Sequence, residues 1–131
     1  NSVAEPYIRR RGLRHLEKSR VVVVAGGTGN PYVTTDTAAV LTALELQCQA
    51  VLKATKVDGV YSKDPAQYPD AKRLDSLTFA QALEDPEIKV MDKTAMAMAQ
   101  EQKLPIIVFN LLDQGNVAKV ATGQPLGTKI N

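Results

Sequence analysis

Cysteine is nearly missing from this chain of 131 residues: Cys48 stands alone. One thiol cannot close an internal disulfide, and a reducing compartment suits it. Tryptophan is absent and histidine occurs once, as His15, which excludes a histidine-rich metal cage. An excess of one charge is lacking too. The chain carries 16 Lys and Arg against 14 Asp and Glu, a net +2, too near neutral to argue for a nucleic-acid partner. No apolar run approaches the roughly 20 residues that span a bilayer, so no membrane segment is expected. The opening NSVAEPYIRRRG has no apolar h-region and does not read as a secretory signal. What remains is ordinary for a soluble globular protein, 44% apolar and 23% charged, in a length that suits one domain able to bury a core without staples.

The order of elements is informative. The stretch from about Ala4 to Lys18 reads as a helix with Leu13 and Leu16 on one face. Six basic and two acidic residues lie between Glu5 and Arg20; the arginines read as a solvated face, since only Tyr7 interleaves with them. RVVVVAG is β-branched and wholly apolar, the pattern of a strand buried on both faces. TTDTAAVLTALELQ predicts a helix, with Thr34 or Thr35 as N-cap and Asp36 in the first turn. AVLKA predicts a second strand and LPIIVFN a third, with helices over SLTFAQALED and VMDKTAMAMAQEQ between them. Asp92 most simply supports the start of the latter helix, and Met96 and Met98 read as core filling. A short helix closed by Gly123 and a terminal strand or tail at GTKIN complete the chain. Strand, helix, strand, helix, strand predicts a parallel sheet with helices outside.

Two polar loops carry the chemistry. GGTGNPYVTTD follows the first expected strand and TKVDGVYSKDP the second, so both are expected at one edge of the sheet, where open parallel sheets bind ligands. In the first loop, glycines permit close backbone approach, and the helix start offers free N–H groups to an anion or a carbonyl oxygen. The spacing fits neither known glycine motif: a dinucleotide fingerprint would need glycine where Tyr32 stands, and a P-loop would need lysine after the glycines. A plain turn with a threonine cap is the competing reading. Asp36 suits a helix dipole, and equally could orient lysines or meet a phosphate-bound Mg²⁺. Tyr61 could stack on a base or pack on the sheet edge. Asp64 could accept from ribose or shape the Asp-Pro turn. Lys53 and Lys56 could neutralise phosphates or lie solvated.

Taken together, GGTGNPYVTTD, VLKATKVDGVYSKDP and KVMDKTAMAMAQEQKLPIIVFN, in that order and spacing, closely resemble the second half of the bacterial UMP kinase (uridylate kinase) family of the amino acid kinase superfamily. The resemblance runs from about Ala4 to Thr128, and the pairing of TGNPxxTTD with KATKVDGVY is its most specific part. It implies a three-layer α/β/α sandwich with a mainly parallel sheet. Residues 1–131 would form one domain, the C-terminal nucleotide-binding half, without the N-terminal phosphate-loop half. It implies phosphoryl transfer from ATP to UMP with Mg²⁺ as cofactor, giving ADP and UDP for pyrimidine nucleotide biosynthesis, an activity the isolated half would lack. Thr28, Gly29, Asn30, Pro31, Tyr32, Val33, Thr34 and Thr35 would form the uridine-nucleotide loop, with Thr28, Asn30 and Thr35 near the uracil. Thr55, Tyr61 and Asp64 match ATP-contacting positions. Asp36 matches the acidic catalytic-site residue that organises phosphate-binding lysines. The family is cytoplasmic, forms homo-oligomers (hexamers at full length) and responds to GTP and UTP. Many members carry two aromatics after GNP, where this chain has Tyr32 and Val33. The alternatives are a non-enzymatic nucleotide-binding module and another member of the superfamily.

Overall fold

The structure is a computed structural model and describes residues 3–131. Eleven elements follow in order: α1 (Arg9–Glu17), α2 (Thr35–Glu45), β1 (Val51–Thr55), β2 (Val60–Tyr61), β3 (Arg73–Leu74), β4 (Ser76–Leu77), α3 (Phe79–Glu84), α4 (Lys93–Glu101), β5 (Ile106–Asn110), α5 (Asn116–Ala121) and β6 (Thr128–Ile130). Four strands form a mixed sheet in the order β1-β5-β6-β4, and β2 and β3 form a separate antiparallel ribbon.

The expected parallel pairing holds where a helix connects the strands. β1 and β5 run parallel in the register Val51 to Ile106 and Thr55 to Asn110, and β4 runs parallel to β6. The tail at GTKIN is a true strand, and it enters antiparallel to β5. The sheet is therefore mostly parallel and flanked by helices. Its core lies where α2, α3 and α4 cover one face, joining Val40, Met96, Ile106, Val108 and Ile130. Phe109, also buried, follows Val108 and so projects to the opposite face.

Local chemistry explains the helix starts. Thr34 caps α2 by accepting from the Thr37 N–H at 3.1 Å, and Asp92 caps α4 by accepting from the Ala95 N–H at 3.1 Å. At α3 the cap is reciprocal. The Gln81 N–H donates to Thr78 Oγ1 at 3.2 Å, while the Thr78 N–H donates to Gln81 Oε1 at 2.8 Å. A six-residue helix has little else to hold its start. Thr78→Ala is expected to cost about 1 kcal/mol, read as a lower midpoint in urea with an unchanged slope.

Two expectations are corrected. Val21 to Val24 form no strand: Val21 is 92% and Val23 87% exposed, against the expected burial on both faces. A β-branched run becomes a strand only when another strand ladders with it, and among the described residues none does. Only the alternation of a strand survives. Val22 and Val24 line a groove of about 490 Å³ whose other wall is α2 and β1, including Ala38, Ala43, Val51 and Leu52. The first helix is also shorter than expected, beginning at Arg9, and of its leucine face only Leu13 is half-buried. Leu16 is exposed while Gly12 is buried. A Cβ on Gly12 would stand 2.7 Å from Leu46 Cδ2, so the missing side chain lets α1 close on the end of α2.

Candidate nucleotide-binding site

The first loop, from Ala25 to Thr34, is exposed apart from a half-buried Thr28. Gly26, Gly27 and Gly29 all take positive φ, and so does Tyr32, at 64°. For a residue with a Cβ that conformation costs roughly 1–2 kcal/mol, and such strain gathers at functional sites. The Tyr32 side chain is wholly exposed, so no packing within the chain repays it. Inside the loop, the Asn30 N–H donates to Thr28 Oγ1 at 3.2 Å. Gly29, Pro31 and Val33 lie at the surface between these residues, and Thr35 opens α2.

Asp36 sits in the first turn of α2, one helical repeat before the buried Val40, so it faces the sheet. Lys53 shares its face of β1 with the core residue Val51. The two meet where that face runs out under the helix start. Lys53 Nζ lies 2.8 Å and 3.0 Å from the two Asp36 oxygens and 2.7 Å from the Val90 carbonyl oxygen. Both side chains are about a quarter exposed, 24% for Lys53 and 28% for Asp36.

Asp92 does more than cap α4. Its carboxylate also accepts hydroxyl hydrogen bonds from Thr34 and from Thr37, the latter at 3.2 Å and 3.3 Å. One carboxylate thus serves two helix N-termini, whose dipoles both favour negative charge there. Burial pushes the Asp92 carboxyl up, and the hydrogen bonds from Thr34, the Ala95 N–H and Thr37 outweigh it, holding the group below the ordinary carboxylate value.

The second loop folds around its own polar groups. The Thr55 hydroxyl donates to the Val57 carbonyl at 2.8 Å and accepts from the Val57 N–H at 3.2 Å. The Tyr61 hydroxyl donates to Asp58 at 2.7 Å, and Asp58 pairs with Arg73 at 3.2 Å. The Tyr61 bond, aided by Arg73, holds the Asp58 carboxyl low, and the same bond holds the Tyr61 phenol high. Asp64 accepts from the Ala66 N–H at 2.9 Å and from Gln67 at 3.0 Å, so it shapes the Asp-Pro turn. A cavity of about 420 Å³ lies here, lined among others by Tyr61, Asp64, Tyr68, Glu87 and Lys89.

The two loops are joined by a segment to which the sequence reading gave only a helix cap. The turn before α4 lines the Tyr61 cavity with Lys89, takes Lys53 on the Val90 carbonyl, and takes Thr34 on Asp92. Asp36, Thr34 and Thr35 are thereby brought together at the start of α2. Tyr61 and Asp64 share the cavity that this turn lines, whereas Thr55, at the end of β1, does not line it and bonds to Val57 and the Phe109 carbonyl. Asp58 and Arg73, which fix the Tyr61 hydroxyl, were not singled out by the sequence; their partnership spans 15 positions and leaves no local pattern.

The chain is similar over its full length to a solved structure of UMP kinase from Bacillus anthracis, with 39% identity and a TM-score of 0.94, and covers 54% of that chain. It is similar over 95% of its length to UMP kinase from Ureaplasma parvum, with 33% identity and a TM-score of 0.86, covering 53% of that chain. For uridylate kinase from Archaeoglobus fulgidus the figures are 99% of this chain and 61% of the other, 32% identity and a TM-score of 0.76. The chain therefore spans a little over half the length of these relatives. The model of the amino acid kinase family matches residues 2–110. Matched by that model over most of its length, and with a mostly parallel sheet, the chain belongs to the amino acid kinase family.

Proposed function

We propose that this chain is the nucleotide-binding part of a UMP kinase, which transfers the γ-phosphoryl group of ATP to UMP. The observation that carries this reading is the match over the whole chain to a bacterial UMP kinase at 39% identity, loops included. In this reading the loop Thr28 to Thr35 receives the uracil side of UMP. Its exposed backbone and the strained Tyr32 leave polar groups free to face a ligand. The cavity at Tyr61 and Asp64 receives ATP. The turn from Val90 to Asp92 sets the distance between the two.

Phosphoryl transfer depends on holding donor and acceptor in line and on neutralising the charge that spreads over the phosphoryl oxygens. This chain supplies positioning for both nucleotides and the Asp36–Lys53 pair between them. Among the described residues no group of three or more His, Cys, Asp or Glu is gathered to cage a metal, and Asp36 gives both oxygens to Lys53. Mg²⁺ accordingly belongs to the reading as part of the ATP substrate, carried on phosphate oxygens.

The lysines and backbone donors that would surround the transferred group are not among the residues gathered here, so the chain alone is expected to bind nucleotide without turnover. A coupled assay of ADP release with both nucleotides present checks this. UMP-dependent ATP consumption by the purified chain would contradict the expected inactivity. Failure to bind UMP or ATP at millimolar concentration would count against the assignment itself.

A further inference from the structure

We propose that Lys53 is a positioning residue that latches the first turn of α2 to the turn before α4, and that it does not contact nucleotide phosphate. The identification of phosphate and base as ligands rests on the UMP kinase reading; the latch does not. An ammonium group has three N–H donors and no acceptor. Lys53 Nζ has three acceptors within 3.0 Å: both Asp36 oxygens and the Val90 carbonyl. Donors and acceptors match in number, so a phosphate would have to displace one of them. Displacing Asp36 would leave a carboxylate three-quarters withdrawn from solvent without its cation, and displacing Val90 would leave the carbonyl of a buried residue unpaired.

The topology gives the contact its purpose. Lys53 lies on β1, Asp36 on α2, and Val90 in the turn that also lines the Tyr61 cavity and carries Asp92. A single side chain therefore ties together the strand and both helix starts that hold the two loops. Lys56, three residues on, is exposed and outside this knot. The residues of the latch are drawn from positions 36, 53 and 90, so no motif announces it.

Lys53→Gln tests the assignment with two independent readouts. Amide hydrogen exchange at Thr37 to Val40 and at Ala95 and Met96 is expected to quicken by about tenfold or more, the loss of one charge-assisted contact, with Ile106 to Phe109 unchanged as the reference for the global fold. Equilibrium dialysis with UMP against uridine, and with ATP against adenosine, separates positioning from phosphate contact. A latch weakens each nucleotide and its nucleoside by the same factor. Loss of UMP or ATP binding with the nucleoside spared would make Lys53 a phosphate ligand and overturn the proposal, as would unchanged exchange at the helix starts. If the parent chain binds none of the four, the nucleotide reading falls while the exchange result still decides the latch. If Lys53→Gln fails to fold, Lys53→Arg carries the same arms. Its guanidinium keeps the charge but holds its N–H donors in one plane on a longer side chain, a geometry that does not match acceptors set around a compact tetrahedral ammonium, so faster exchange at the helix starts is again expected, and unchanged exchange again overturns the proposal.

Discussion

Replacing Gly127 with alanine is expected to unfold the chain or to leave it without its last strand. Gly127 has φ +75°, and an added Cβ would stand 1.9 Å from the Val108 carbonyl oxygen and 2.9 Å from the Val108 carbonyl carbon. Both are backbone atoms of the central strand, so no side chain can swing aside. The neighbouring residue magnifies the damage. Thr128 is fully buried, pairs with Val108 across the sheet, accepts from the Val60 N–H at 2.8 Å and donates to the Leu74 carbonyl. It therefore ties the ribbon of β2 and β3 to the main sheet. Moving it breaks contacts with three elements at once, a loss of several kcal/mol against a total stability of about 5–15 kcal/mol for a typical domain. Gly123→Ala is the internal control. It has φ +82° but nothing within 4 Å of the added atom, so it should lose only the roughly 1–2 kcal/mol of the left-handed conformation. Thermal melts followed by far-UV circular dichroism separate the two. Equal effects would mean that the close approach to Val108 does not matter.

Much of this architecture is legible from local chemistry. α2 and α4 could be read because their caps, Thr34 and Asp92, stand just ahead of runs rich in good helix formers, Ala38 to Leu44 and Ala95 to Ala99, and β5 because four apolar positions, Ile106 to Phe109, are bounded by Pro105 and Asn110. The errors share one cause, which is that they depend on a distant partner. Val21 to Val24 have the composition of an interior strand, yet strand formation is decided by a ladder that composition does not reveal. Gly12 looks like a weak point in a helix, and its use is visible only when Leu46 lies against it. The antiparallel entry of β6 is set by its pairing with β5, Ile130 against Ile106 and Thr128 against Val108, which no local pattern signals.

The candidate site divides the same way. Glycine, proline and threonine in the first loop have local meaning, and they fall where the sequence places them, ahead of α2. Asp36 and Lys53 could each be proposed as charges near phosphate, but not as a closed pair, because the third partner is the carbonyl of Val90. A main-chain acceptor has no residue type to signal it. Tyr61 likewise reads as a free aromatic until Asp58 and Arg73 are seen to hold its hydroxyl. The sequence shows which residues are available, and the structure shows which are already engaged.

Asp92 offers the second large effect, with a pH signature that distinguishes its charge from its shape. Asp92→Ala removes the N-cap of α4 and the acceptor for the Thr34 and Thr37 hydroxyls at the start of α2. A lost cap costs about 0.5–2 kcal/mol, and hydrogen bonds to a charged group contribute about 1.5–3 kcal/mol, so a loss of about 2–4 kcal/mol is expected at neutral pH. The folded carboxyl is held below its ordinary value of 3.8. A depressed carboxylate contributes stability that is complete above the unfolded value and is lost as the pH falls through the folded one. Denaturation curves of the parent and of Asp92→Ala should therefore lie far apart at pH 7 and draw together below about pH 4. Asp92→Asn keeps a side-chain oxygen for one cap bond and loses the charge, so its deficit at pH 7 should be smaller while its curve converges with the parent in the same acid range. A gap between parent and Asp92→Ala that stays constant as the pH falls from 7 to well below 3.8 would mean that the carboxylate charge contributes nothing and that the shape and uncharged hydrogen bonds of Asp92 account for the whole effect.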